Sequence, residues 1–254
     1  DSAPITYPDL SAIRGQPLLC RALELAAAGG HHLLISGPPG LGKTLAASVL
    51  PGLLPPITPA QRREVGLLRD LAGLPHCEAP PFRAPHHSSS IAALMGGTSQ
   101  AIPGEISMAH AGVLFLDELA EFPRAVLNQL RQPLETGEIT VSRAAHKHTY
   151  PAQFQLVAAM NPCPCGMTGR TESTCHCTPA AIQRYWRGVS GPLLDRIDLH
   201  ITIDRPPPDL QPEEIRPIRR QRHRHRWLAD PAAHRLAPLQ QAIRLKAPHD
   251  DRNG

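Results

Sequence analysis

At 254 residues the chain has room for one large α/β domain, or one domain and a smaller piece, and can bury a sizeable core. A hydrophobic content of 41%, a charged content of 19% and a formal net charge of +4 are ordinary for a water-soluble protein. No apolar run approaches the roughly 20 residues of a membrane-spanning helix, and the first residues lack a signal-peptide pattern, so a cytoplasmic protein is expected. The start Asp1-Ser-Ala-Pro, without Met, suggests an excised domain.

In chain order, the apolar spacing from Ser11 to Ala28 predicts an amphipathic helix ended by Gly29-Gly30. The run Leu33-Leu34-Ile35 follows as a buried strand, and then Gly37-Pro38-Pro39-Gly40-Leu41-Gly42-Lys43-Thr44 fills every fixed position of G-x-x-x-x-G-K-[ST], the phosphate-binding loop of nucleoside triphosphatases. The glycines let backbone amides curl around phosphate oxygens, Lys43 reaches the β- and γ-phosphates, and the Thr44 hydroxyl ligates Mg2+. A helix beginning around Leu45 is expected to break at Pro51. Gln61 to Leu71 predicts another helix, whereas Pro75 to Pro103, rich in Pro, Gly, Ser and His, predicts loops with a short helix near Ser90–Leu94.

Val113 to Leu116 is a second short apolar strand, and Asp117 and Glu118 emerge at its end. At the carboxyl end of a parallel sheet, Asp117 can complete the Mg2+ coordination begun by Thr44, and Glu118 can act as general base on the attacking water. A helix is expected from Arg124 to Leu134. Glu138–Arg143 and His148–Pro151 predict a hairpin with basic residues, Arg143 and Lys147, at its tip. Phe154 to Ala159 is a further core strand that leads into Asn161, a residue placed either to orient water beside the γ-phosphate or to serve the turn before Pro162.

Four of the six cysteines form Cys163-Pro-Cys165 and Cys175-His-Cys177, with nine residues between the pairs. Structural zinc, reduced thiols and a disulfide all remain open for them, and Cys20 and Cys77 read as unpaired. Arg216 to Arg226 carries six arginines with His223 and His225; such a run is either a polyanion-binding segment or a solvated tail.

With these landmarks the sequence resembles the magnesium-chelatase-like AAA+ ATPases, and most closely the ComM (YifB) family, from about Asp9 to Ile203. The resemblance also rests on Arg83-Ala-Pro-His-His87, Pro103-Gly-Glu-Ile-Ser107, Ala109-His110, Arg131-Gln-Pro-Leu-Glu135, Ala159-Met-Asn-Pro-Cys-Pro-Cys-Gly166 and Gly191-Pro-Leu-Leu-Asp-Arg-Ile-Asp-Leu-His200. It implies an AAA+ P-loop fold: a three-layer α/β/α sandwich with a central, mostly parallel sheet, an insert in helix 2 over about Pro85–Gly104, and a β-hairpin before the first sensor. It implies ATP and Mg2+ as cofactors, with a nucleotide contact surface from Gly37 to Leu45. Lys43 and Thr44 become the Walker A pair, Asp117 and Glu118 the Walker B pair, Asn161 the first sensor, and Arg196 an arginine finger that acts on a neighbouring subunit's ATP. A homo-oligomeric ring, most readily a hexamer, follows from that arrangement. For Arg143 and Lys147 at the hairpin tip the resemblance implies nucleic-acid contacts, the alternative being an exposed turn that they merely decorate. The family implies a DNA branch-migration motor of natural transformation, and the chelatase relatives imply the alternative of a protein-remodelling ATPase subunit. Residues 1–205 are expected to form the ATPase core, and 206–254 a basic, Pro/Arg/His-rich tail where the family's helical lid is missing or degenerate.

Overall fold

The computed structural model describes residues 5–97, 102–143, 146–168, 175–189 and 191–204, with the backbone alone for 142, 143, 146, 147 and 243–245. The Arg216–Arg226 run and the question of a second sensor lie outside the described residues.

A 3-10 turn at Leu10–Ala12, capped by the Asp9 carboxylate, precedes α1 (Pro17–Gly29). The expected helix thus begins at Pro17, whose fixed φ suits the first helical position, and ends where Gly30 turns left-handed at φ 66. Strand β1 (Leu33–Ser36) leads through the glycine loop into α2 (Lys43–Leu53). Contrary to the expected break, α2 runs through Pro51 to Leu53, losing the one ladder bond that Pro51 cannot donate to Ala47 O. A full capping box of Thr58 and Gln61 starts α3 (Pro59–Leu71).

The loop-rich region holds a two-residue strand, β2 (Phe82–Arg83), and α4 (Ile91–Met95), which Ser90 caps. Next come α5 (Glu105–Met108) and β3 (Val113–Leu116). The single helix expected over 124–134 is two, α6 (Arg124–Gln129) and α7 (Arg131–Thr136), because Pro133 cannot donate to the preceding turn. The hairpin forms from β4 (Glu138–Arg143) and β5 (His146–Pro151) as a separate antiparallel sheet. The chain continues with β6 (Gln155–Met160), α8 (Pro179–Gly188), α9 (Gly191–Leu194) and β7 (Leu199–Thr202). From the tail, β8 (Ile243–Leu245) pairs antiparallel with β7.

The main sheet has the order β2-β3-β6-β1-β7-β8, and every pair but the last is parallel. Its central strands are buried on both faces, and their side chains alternate between two cores. Leu33, Ile35, Val113, Phe115, Val157 and Ala159 pack with α1 and α2. Leu34, Leu114, Leu116, Leu156, Ala158 and Met160 pack against residues of α4 to α6 and α9. The result is the expected α/β/α sandwich. Each fully buried leucine or isoleucine in it contributes roughly 1.5–3 kcal/mol over its exposed state. That rigidity fixes the carboxyl ends of β1, β6 and β3 side by side.

Candidate nucleotide-binding site

Strand order explains the site. The phosphate-loop strand β1 and the carboxylate strand β3 are not neighbours; β6 lies between them. Three sequence-distant segments therefore leave the sheet together: the loop after Ser36, Asp117-Glu118 after Leu116, and Asn161 after Met160. The Gly37 amide still donates to Met160 O at 3.2 Å, and Ile203 N–H donates to Ser36 O at 2.8 Å, so the ends of β6 and β7 hold the junction of β1 and the loop from both sides. A side chain at Gly37 would meet Ile203 O at 2.7 Å, which is why this position takes glycine. Gly40 and Gly42 adopt φ of 80° and 78°, open to glycine at no steric cost.

Lys43 opens α2 and is only 9% exposed. Its Nζ donates to Gly37 O at 2.6 Å, Pro38 O at 2.8 Å and Asn161 Oδ1 at 3.3 Å. Burial pushes its pKa down, against the opposing pull of the Asp117 and Glu118 carboxylates. No side chain caps the start of α2, so its first-turn amides face the loop as donors for an anion. Leu45 is exposed beside them, and Pro38, Pro39 and Leu41 complete the loop.

The Thr44 hydroxyl donates to Asp117 Oδ2 at 2.8 Å, and Asp117 Oδ1 accepts the Glu118 N–H at 2.9 Å. The two oxygens suit Mg2+: both are hard donors, and adjacent ligands of an octahedral Mg2+ with bonds of ~2.0–2.1 Å lie about 2.9 Å apart. Glu118 adopts a left-handed backbone, φ 53, uncommon for a residue other than glycine. Its Oε2 lies 3.0 Å from His87 Nδ1.

Lys43–Asn161 and Thr44–Asp117 thus form two hydrogen-bonded pairs at the ends of neighbouring strands, with Glu118 following Asp117. Arg196 is elsewhere: it pairs with Glu135 of α7 and donates to Pro192 O at 3.2 Å. Arg143 and Lys147 occupy the hairpin's outer register, opposite His146 and Ser142, and their side chains lie outside the described residues. The base of that hairpin is anchored by Tyr150, packed with Leu68 of α3 and Met108 of α5.

The Sγ atoms of Cys163, Cys165, Cys175 and Cys177 lie within 4.8 Å of one another. Cys20 and Cys77 are buried and free, as expected.

Three contacts escaped the sequence reading: His87 with Glu118, Glu135 with Arg196, and a bidentate Arg83–Glu105 pair at 2.5 and 2.6 Å that ties β2 to α5. All of these residues but Glu118 fall in the strings that carry the family resemblance. Their clustering was the available signal, although nothing in a string says which residue meets which.

Among the described residues no helix is long and apolar enough to cross a membrane. The family model for magnesium chelatase, subunit ChlI, matches residues 9–210. The competence protein ComM of Haemophilus influenzae is 53% identical over 77% of this chain and 39% of its own length. YifB of Salmonella typhimurium is 47% identical over 82% of this chain and 42% of its own. The chain therefore spans about two fifths of these relatives. Among solved structures, NtrX from Brucella abortus in complex with ATP superposes with a TM-score of 0.49 at 16% identity, over 80% of this chain and 39% of that one. On the match of the family model, the chain belongs to the magnesium chelatase ChlI family of AAA+ ATPases, in its ComM/YifB group.

Proposed function

We propose that the chain is the ATP-hydrolysing core of a ring-forming cytoplasmic motor that moves on DNA, as a branch-migration helicase in transformation and recombination. The observation that carries the ATPase reading is the convergence of Lys43, the Thr44–Asp117 pair and Asn161 at the carboxyl ends of three adjacent parallel strands. Gly37 to Leu45 wraps the triphosphate. Lys43, already aimed at two loop carbonyls, exchanges them for β- and γ-phosphate oxygens. Thr44 and Asp117 would hold Mg2+, which would supply positive charge to offset that of the β- and γ-phosphates.

Glu118 accepts a proton from the water as its oxygen attacks the γ-phosphorus and the bond to the β,γ-bridging oxygen breaks. Asn161 orients that water. Arg196 faces a neighbouring subunit's ATP, where it offsets the charge that spreads over the transferring phosphoryl group. Its partners within its own chain, Glu135 and Pro192 O, belong to neither the phosphate loop nor the Thr44–Asp117 pair, which supports this role in trans, and with it a homo-hexameric ring. The basic hairpin tip, with Arg143 and Lys147, faces the channel and grips DNA phosphates. The four-cysteine cluster holds a structural Zn2+.

The DNA reading draws on the similarity to the competence protein ComM. The test is phosphate release by the full-length protein with and without single-stranded, duplex and branched DNA. The expected result is turnover stimulated by DNA and strongest with branched substrates. Turnover without stimulation by any form would sink the motor claim and leave a protein-remodelling ATPase of the chelatase type.

A further inference from the structure

The four cysteines stand at the nucleotide site, not apart from it. Cys163 is two residues beyond Asn161. The turn that follows closes with the Gly166 amide donating to Cys163 O at 2.9 Å, and Gly166 adopts φ 74. This left-handed turn brings Cys163 and Cys165 onto the same side, their Sγ atoms 3.3 Å apart, despite the one-residue spacer. Cys175 Sγ lies 3.8 Å from the first and 3.5 Å from the second.

A disulfide holds its sulfurs at about 2.05 Å. Four thiolates around Zn2+, at Zn–S distances of about 2.3 Å in a tetrahedron, stand about 3.8 Å apart. The observed separations suit the second arrangement. Two further contacts match a metal site's outer layer: Thr168 N–H donates to Cys163 Sγ at 3.4 Å, and Thr168 Oγ1 lies 3.1 Å from Cys175 Sγ.

The same turn touches the phosphate loop. A side-chain carbon at Gly166 would lie 3.0 Å from Pro39 Cδ and 3.6 Å from Asn161 Cγ, so the turn is seated against both. On the other side, Trp186 Nε1 of α8 donates to Pro162 O at 3.0 Å.

We propose that Zn2+ held by Cys163, Cys165, Cys175 and Cys177 makes this segment a rigid knuckle that positions Asn161 and braces the phosphate loop through the Gly166–Pro39 contact. The proposal rests on the zinc reading of the cluster and adds a task to it. The cysteines become positioning residues for nucleotide chemistry, and the metal ties the chain after the sensor to the start of α8.

The experiment uses the full-length protein, purified without chelator, with Cys165→Ser/Cys175→Ser and Gly166→Ala as variants. Zinc content, affinity for a fluorescent ATP analogue, and amide hydrogen exchange over 37–44 and 161–168 are measured on each, with circular dichroism to verify folding. Wild type should contain about one zinc per chain, and the double variant none. Loss of the metal should speed exchange over both segments and weaken nucleotide binding about tenfold, the size of one lost hydrogen bond to a charged group. Gly166→Ala leaves every ligand in place and should retain zinc while still weakening binding, which keeps the test decisive if the double variant unfolds.

Wild type without zinc overturns the metal site itself. Zinc that is lost from the double variant, with exchange over 37–44 and nucleotide affinity unchanged, overturns the positioning role while the zinc reading stands. Wild-type affinity in Gly166→Ala overturns the brace.

Discussion

Glu118→Gln should separate binding from hydrolysis. The Glu118 side chain is 55% exposed and its Oε2 meets His87 Nδ1 at 3.0 Å, whereas the Thr44–Asp117 and Lys43–Asn161 hydrogen bonds do not pass through it. Glutamine keeps the length and an oxygen for His87, so stability should move by no more than about 0.5 kcal/mol and nucleotide affinity by less than about threefold. What is lost is the proton acceptor. A positioned general base contributes about 10²–10⁴ in rate, or about 3–5 kcal/mol of barrier. Turnover at saturating ATP should therefore fall at least a hundredfold. The assay is phosphate release by the full-length protein, paired with equilibrium binding of a fluorescent ATP analogue. Turnover within about threefold of wild type would refute the assignment of Glu118 as base. His87→Ala frees the carboxylate from its partner and should raise unstimulated turnover a few-fold. A large fall would instead mean that His87 holds Glu118 in its working position.

Three further outcomes follow from the geometry. Thr44→Ala removes one of the two oxygens that fit Mg2+; the Mg2+ concentration needed for half-maximal turnover should rise about tenfold or more, read from a Mg2+ titration at fixed ATP, and an unchanged titration would count against the ligand role. Arg196→Ala should bind ATP normally and hydrolyse it at least about a thousandfold more slowly. Mixed with Lys43→Ala subunits it should regain measurable turnover, because intact Lys43 and Arg196 then meet at some interfaces; no recovery at any ratio argues against action in trans. His32 accepts the Leu156 N–H on Nδ1 at 3.0 Å, and burial lowers its pKa below the ordinary value. The folded state keeps it neutral while the unfolded chain takes up a proton near pH 6.5. Its contribution is thus present above that pH and is lost as pH falls toward the folded value. Urea unfolding at pH 7 and pH 5 should show a smaller acid loss for His32→Asn than for wild type; equal losses would refute the reasoning.

The strands at the site were legible because burial on both faces demands unbroken apolar runs, as in Leu33–Ile35 and Val113–Leu116. The glycine loop was legible because Gly40 and Gly42 need positive φ, and few other sequences satisfy that. Helix boundaries fared worse where proline acted by position: Pro17 starts α1, Pro51 is tolerated near the end of α2, and Pro133 falls where it divides α6 from α7. Strand β2 is two residues long and owes its existence to pairing with β3, which no local pattern records. Helix α8 does carry a local start signal, the Thr178 cap ahead of Pro179, although none of its side chains is buried. Side-chain partners such as His87 with Glu118 depend on tertiary placement and could not be read locally.

Arg196 shows why the nucleotide-binding half of the site and the hydrolytic half need not be completed together. Inside one chain its guanidinium is held by Glu135, a residue 46% exposed in its side chain, and by a backbone carbonyl. An exposed pair of this kind is worth about 0–1 kcal/mol, far less than an arginine gains against a transferring phosphoryl group in a desolvated site. If Arg196 acts in trans as proposed, Glu135 is a holding partner that a neighbour's ATP would displace at little cost. On the proposed reading a lone subunit gathers triphosphate and Mg2+ with Lys43, Thr44 and Asp117, while the positive charge that the transition state needs stays paired with Glu135 and Pro192 O. With Arg196 acting in trans as proposed, hydrolysis depends on assembly, and the chemistry is coupled to the ring.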